Sequence, residues 1–294
     1  MSRPISGVSI HEKGYPRLLK EIPGAPERFF FLGSPSAWER PLVSIVGTRK
    51  ATAEGIAVAR GLGERFARAG VGVVSGLALG IDGAAHEGAL RGNGVTIAVL
   101  ANGLGEIYPR THESLAARIL EHEGAILSEY PEGTPAYPAQ FLERNRIVSG
   151  LSLATVVVEA PERSGALSTA RHALEQGREV FVFPGSAGSP NYRGNHWLIR
   201  EGARLAASFA HLEEDLSSLF SEISPPLPTA SRNAGRDADS STVLSALIGL
   251  GGGAKTEAII AASGLDPQAA LSALAFLTIE GEVEETEGGF CIHQ

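Results

Sequence analysis

Between residues 42 and about 205, apolar and polar positions are grouped in blocks and do not alternate residue by residue. Short runs of Val, Ile, Leu and Ala at 43–46, 71–75, 96–100, 125–128, 154–159 and 179–183 have little polar interruption. A strand that is apolar on both sides is covered on both faces, which is the mark of a parallel sheet. The stretches between them, 53–69, 82–90, 112–122, 140–150, 168–176 and 195–201, predict helices. This alternation predicts an α/β fold: an extended Rossmann-like, doubly wound parallel sheet with ligands at the carboxyl ends of its strands.

The pattern changes after residue 220. Residues 221–239 include Pro225, Pro226 and Pro228 among small polar residues without apolar periodicity, which predicts a flexible linker. Helices are then predicted at 241–248, 255–263 and 267–280, followed by an alternating stretch that turns at Gly288 and Gly289. Three short helices closed by a hairpin predict a small C-terminal winged-helix domain over 240–294. Residues 1–41 are expected to form a lead-in packed on the core, and 42–220 the core domain itself.

The first apolar run ends in Gly47-Thr-Arg-Lys50, and Thr52 is placed to cap the next helix. A tight glycine turn before a helix N-terminus favours an anion, and Arg49 and Lys50 add two cations at that edge. The turn has neither G-x-G-x-x-G nor a Walker A Gly-Lys-Ser/Thr. Later loops repeat the theme. Gly76 and Gly80 leave the second loop bare, and the third ends in Arg110. Ser164 and Gly165 open another helix.

Arg144 and Arg146 stand two apart at a helix start and therefore face different ways; one is expected to reach a ligand and the other to pair internally, with Glu129 or Glu159. Tyr108, Tyr137 and Phe141 stand near the same loops, where they could stack on bases. A rim of this kind suits several phosphates in a row. Asp82 and His86, four residues apart, lack a third metal ligand and read as a helix cap and a packing residue. No metal site, catalytic carboxylate pair or nucleophile elbow is legible, so neither a catalytic residue nor a cofactor is expected.

Charge sharpens this picture. The net charge of −8 is divided unevenly: residues 1–209 hold 22 Lys and Arg against 20 Asp and Glu, whereas residues 210–294 hold 3 against 13. The predicted recognition helix, 267–280, has no Lys or Arg and is followed by Glu282, Glu284, Glu285 and Glu287. A phosphate backbone is repelled by such a surface, so this domain is expected to contact protein or mask the core. The single cysteine, Cys291, argues against a disulfide framework and suits a reducing cytoplasm. There is no run of about 18 apolar residues and no secretory n-region and h-region, so membrane insertion is not expected.

Taken together, Ser44-Ile-Val-Gly-Thr-Arg-Lys-Ala-Thr52, Gly76-Leu-Ala-Leu-Gly-Ile-Asp-Gly-Ala-Ala-His86, Ile107-Tyr-Pro109, Phe141-x-x-Arg-Asn-Arg-Ile-Val-Ser-Gly-Leu-Ser152, Ser164-Gly-Ala-Leu-Ser-Thr-Ala-Arg-x-Ala-Leu-Glu-Gln-Gly-Arg178 and Pro184-Gly185 closely resemble the DNA-processing protein A (DprA/Smf) family over about residues 10–215. The resemblance implies a homodimeric protein without catalytic activity. It would bind and protect single-stranded DNA and load the RecA recombinase during natural transformation. Carried over by position, the family's Gly-Ser/Thr-Arg motif falls on Gly47, Thr48 and Arg49, its basic residue after Tyr-Pro on Arg110, and its Arg-Asn-Arg segment on Arg144, Asn145 and Arg146. His112 stands where the family usually has asparagine. The N-terminal helical domain of many members has no counterpart expected here, since about 40 residues precede the predicted first strand. The competing class is a nucleotide-binding enzyme, a lysine-decarboxylase-like phosphoribohydrolase, but residues 164–170 lack its double glycine and catalytic glutamate.

Overall fold

The computed structural model describes residues 4–221, 238–286 and 288–292. Nine strands make one sheet: β1 (Ser6–Ser9), β2 (Arg28–Gly33), β3 (Leu42–Val46), β4 (Gly72–Ser75), β5 (Thr96–Leu100), β6 (Ala125–Ser128), β7 (Ala154–Val157), β8 (Glu179–Val182) and β9 (Arg204–Leu205), in the order β1-β2-β6-β5-β4-β3-β7-β8-β9. From β6 to β9 every pairing is parallel. Around the sheet lie α1 (Arg17–Lys20), α2 (Ala53–Arg68), α3 (Ile81–Arg91), α4 (Glu113–Glu121), α5 (Pro138–Gly150), α6 (Gly165–Glu175), α7 (Arg193–Arg200) and α8 (Phe209–Ser221). All residues of β3, β4, β5, β6 and β7 are buried, so their unbroken apolar runs reflect cover from helices on both faces.

The chain moves outward from β3 to β6 and then returns beside β3 with β7, so the winding reverses between β3 and β7. Loops leaving two neighbouring strands in opposite directions open a crevice there. Buried Asn195 ties together the chain just after β7 and just after β8: its Nδ2 donates to the carbonyls of Val158 and Phe183, and its Oδ1 accepts from the Ala160 amide at 2.7 Å.

The lead-in does more than pack. β1 and β2 extend the sheet, β2 antiparallel to β6 with Phe30 opposite Ser128, so the sheet is mixed and its first strand lies well before residue 42. Phe29 and Phe31 meet Trp38 edge-on at 5.7 and 5.0 Å, anchoring the segment to the core.

After the core come α9 (Ala238–Gly249), α10 (Thr256–Ser263) and α11 (Pro267–Ile279), with β10 (Gly253–Ala254), β11 (Val283–Thr286) and β12 (Gly289–Ile292) in the order β10-β12-β11. Val243, Leu247, Ile259, Leu274, Leu277 and Val283 give this module its own core. Most of the predicted linker, residues 222–237, lies outside the described residues. Among the described residues no single helix is long and apolar enough to cross a membrane.

Candidate nucleic-acid interface

A crevice of about 660 Å³ opens at the β3/β7 reversal. Its near wall is the turn Gly47, Thr48, Arg49 and Lys50 after β3, and its floor includes Gly76 after β4. Phe141, Arg144 and Asn145 of α5 form one side; Ser164 and Gly165 at the start of α6 form the other. Gly47, Thr48, Arg49, Lys50, Gly76, Phe141, Arg144, Asn145, Ser164 and Gly165 therefore converge, although they come from four separate segments.

The turn is held from below. The Thr48 amide donates to the Glu159 carbonyl at 2.7 Å, and the Lys50 amide to Thr48 Oγ1 at 3.2 Å. Gly80 has φ of +78°, and a Cβ there would stand 2.4 Å from the Thr48 carbonyl oxygen; only glycine lets the β4–α3 loop lie against this turn. Thr48 is buried, while Arg49 and Lys50 are exposed. The Arg49 guanidinium lies 5.0 Å from the Phe141 ring centre, and Tyr108 meets Phe141 edge-on at 5.5 Å.

The helix N-termini differ from the simple expectation of free amides. At α2 the buried Glu159 carboxylate accepts from the Thr52 amide at 3.0 Å and from Thr52 Oγ1, and Thr52 Oγ1 accepts from the Gly55 amide. Near the start of α3 the Asp82 carboxylate accepts from the amides of Gly76 and Ala78. Both termini thus hold a carboxylate of the protein itself. The start of α6 has no acidic residue in its first turn, an exposed Gly165 and an exposed Arg163 beside it, so this terminus is open to an outside anion. Arg163 lines the crevice but was not singled out in the sequence; its signal was a cation immediately before a Ser-Gly helix start.

Of the two neighbouring arginines, Arg146 makes the expected internal pair, with Glu129, while Arg144 sits at the crevice but is buried. Arg144 is buried, with Nη1 donating to the carbonyls of Gly76, at 2.8 Å, and Val99. Burial lowers its pKa to about 10, with Asp82 opposing and Arg49 adding to the fall, so it stays charged at neutral pH. Burial raises the Asp82 carboxyl, against the pull of Arg144. Arg144 is therefore a fixed cation beneath the crevice floor. Arg146 does not line the crevice: its Nη2 donates to both Glu129 oxygens, at 2.6 and 2.7 Å, because it leaves the helix on the other face. Glu159 pairs with neither arginine. It holds Thr52 and accepts from Asn191.

Arg110 is exposed, in a short 3-10 turn after Pro109, and lies outside the crevice lining. His112, two residues on, donates from Nδ1 to the Leu77 carbonyl at 2.9 Å, which steadies the floor loop where Leu77 has φ of +56°. His86 is buried with Nδ1 2.6 Å from Thr96 Oγ1. Among the described residues, no group of three His, Cys, Asp or Glu could hold a metal ion, and Arg49, Lys50, Arg110 and Arg163 have no carboxylate within ion-pair distance.

The fold is thus a doubly wound α/β sheet whose reversal point carries cations without carboxylate partners, with the neighbouring carboxylates of Asp82 and Glu159 turned inward. The chain belongs to the family described as DNA recombination-mediator protein A, whose model matches residues 6–217. It is 48% identical over 202 residues to Protein Smf of Escherichia coli, covering 69% of this chain and 54% of that protein. It is 42% identical over 213 residues to DNA processing protein DprA of Bacillus subtilis, covering 72% of this chain and 71% of the relative. Among solved structures, DNA processing protein A of Streptococcus pneumoniae superposes with a TM-score of 0.64 at 39% identity, over 68% of this chain and 70% of that one. DNA processing protein A of Helicobacter pylori, whose structure is described for its single-stranded DNA binding mode, superposes with a TM-score of 0.66 at 28% identity, over 73% and 96%. The chain spans about half the length of the Escherichia coli and Synechocystis relatives, at 54% and 52%. The module after residue 238 lies beyond the family match.

Proposed function

We propose that this protein binds single-stranded DNA in the crevice at the β3/β7 reversal and hands it to the RecA recombinase in transformation and recombination. The observation that carries the reading is the row of exposed cations without carboxylate partners, Arg49, Lys50 and Arg163, around the open N-terminus of α6. Arginine suits this task because its planar fork matches phosphate oxygens. Arg110 extends the same path beyond the crevice. Phe141 and Tyr108 offer ring faces and edges to bases, which a single strand exposes and a duplex does not.

Catalysis is not part of the reading. The crevice's carboxylate, Asp82, is buried and accepts from two backbone amides, leaving it badly placed to act as a general base. The named relatives support the DNA assignment: one solved neighbour is described by its single-stranded DNA binding mode. We assign RecA transfer and homodimer formation on family membership, and read residues 240–294 as a winged-helix module for protein contact. The testing experiment is a salt-titrated binding assay with single- and double-stranded oligonucleotides. Single strands should bind more tightly, with log affinity falling linearly in log salt. Equal or stronger duplex binding would overturn the reading.

A further inference from the structure

The face of α11 that a winged helix would offer to a DNA groove is already used. Phe276 packs over Gly61 of α2 and lies 5.9 Å from the ring of Phe209 in α8. Glu280, just past the end of α11, accepts from Arg65 of α2, and Arg65 also pairs with Glu213 of α8 at 3.1 Å. Position 61 meets 276 and position 65 meets 280, so α2 and α11 run in the same direction. The start of α11 therefore lies at the start of α2, which follows the turn of Arg49 and Lys50 in sequence.

Two further observations agree with that placement. Asp239 and Asp266 share a cleft of about 410 Å³ with Ala51 and Ala53, the residues that follow the cationic turn. Glu54, in the first turn of α2, has its carboxyl pushed up by burial and then by the charge of Glu285 on β11, which puts the acidic hairpin near the same end. Asp239 and Asp266 thus line, with Arg60 and Arg91, a cleft that begins at the residue after Lys50, and Glu285 acts on the first turn of α2, all on a module that brings no Lys or Arg on α11.

We propose that the C-terminal module is an electrostatic gate: α11 docked on α2 holds Asp239, Asp266 and Glu285 beside Arg49 and Lys50, where they compete with a nucleic-acid backbone. Release of the module opens the rim. Opening requires breaking the Phe276 contact and the Arg65–Glu280 pair, both confined to this junction. Phe276 packs with the core domain's cluster and not with the module's own, so changing it spares the module's fold. Because the acidic groups act through space, their effect reaches furthest at low salt, where the Debye length is about 30 Å near 0.01 M against about 8 Å at 0.15 M.

This inference rests on the crevice being the DNA site, and its test separates the two. Phe276→Asp and Glu280→Arg are made in the full chain, with Arg49→Ala alongside. Small-angle scattering reads the radius of gyration, and fluorescence anisotropy reads affinity for a short oligothymidylate. The gate predicts a larger radius and an affinity gain of about fivefold near 0.01 M salt, shrinking as salt rises. An unchanged radius, or an enlarged protein whose affinity is equal to or below that of the parent, overturns it. If Arg49→Ala weakens binding while the released variants gain nothing, the crevice stands and the gate falls. Should Arg49→Ala bind normally, the crevice reading itself is wrong.

Discussion

The guanidinium of Arg49 rests on the ring of Phe141, 5.0 Å from its centre, although Arg49 lies in the turn after β3 and Phe141 in α5, so that the two meet only through the fold. The ring sits under a cation at the crevice mouth and is itself buttressed by Tyr108. Exposed cation–π contacts contribute about 0.5–1 kcal/mol. Phe141→Ala should weaken single-strand binding by about 1–2 kcal/mol through lost stacking while leaving the slope of log affinity against log salt unchanged, because no charge is removed. A changed slope would show that Phe141 acts by holding a phosphate contact in place.

Arg110 stands outside the crevice lining and is exposed. Charge reversal there should weaken binding to oligonucleotides of every sequence about equally, since contacts to phosphate carry no base information. Competition among oligonucleotides of different composition checks this; a selective loss would make Arg110 a reader of bases.

Arg146 has a structural task. Its bidentate pair with Glu129 is largely shielded, the side chains being 19% and 25% exposed. Arg146→Met should lower unfolding stability by about 1–3 kcal/mol in chemical denaturation, because Glu129 is left unpaired, and should leave DNA affinity unchanged. A loss of affinity in a folded Arg146→Met protein would return this residue to the DNA path.

The parallel core was legible because buried strands such as 96–100 and 125–128 are apolar on both faces, and the structure keeps those bounds. β2 was not: the apolar run Phe29-Phe-Phe-Leu32 is followed by no helix of a βα repeat, and what makes it a strand is antiparallel pairing with β6, nearly one hundred residues later. β9, two residues long, carries no pattern to detect. At the site, glycine turns and cations were readable because they are local in sequence. The fate of Glu159 was not, since its partners Thr52 and Asn191 lie on different segments. The same is true of Arg144 and Arg146: their opposed facing follows from helical spacing, but burial of Arg144 beneath Gly76 depends on the neighbouring strand. A Cβ at position 76 would lie 2.5 Å from that guanidinium, so the bare loop and the buried cation require each other.

His86 makes the fold sensitive to acid. Burial, with His112 and Arg144 adding to it, lowers its pKa to about 3 from an ordinary 6.5. Between these values the unfolded chain takes up a proton that the folded chain refuses, so stability is retained above about pH 6.5 and falls as pH drops, by at most roughly 1.4 kcal/mol per unit from this group. Denaturation at pH 7, 6, 5 and 4 should show that loss, and His86→Gln, though less stable at pH 7, should show a flatter profile over this range. An equally steep profile in the variant would assign the acid sensitivity to other groups.

The most direct test of the central claim is the single-strand affinity of Arg49→Ala across a salt series. With one of the turn's two exposed cations removed, binding should weaken by about 1–3 kcal/mol and the magnitude of the salt slope should fall by roughly 0.7, the share of one phosphate on a single strand. A folded Arg49→Ala protein with parental affinity and parental slope would contradict the assignment of the β3/β7 crevice as the DNA site.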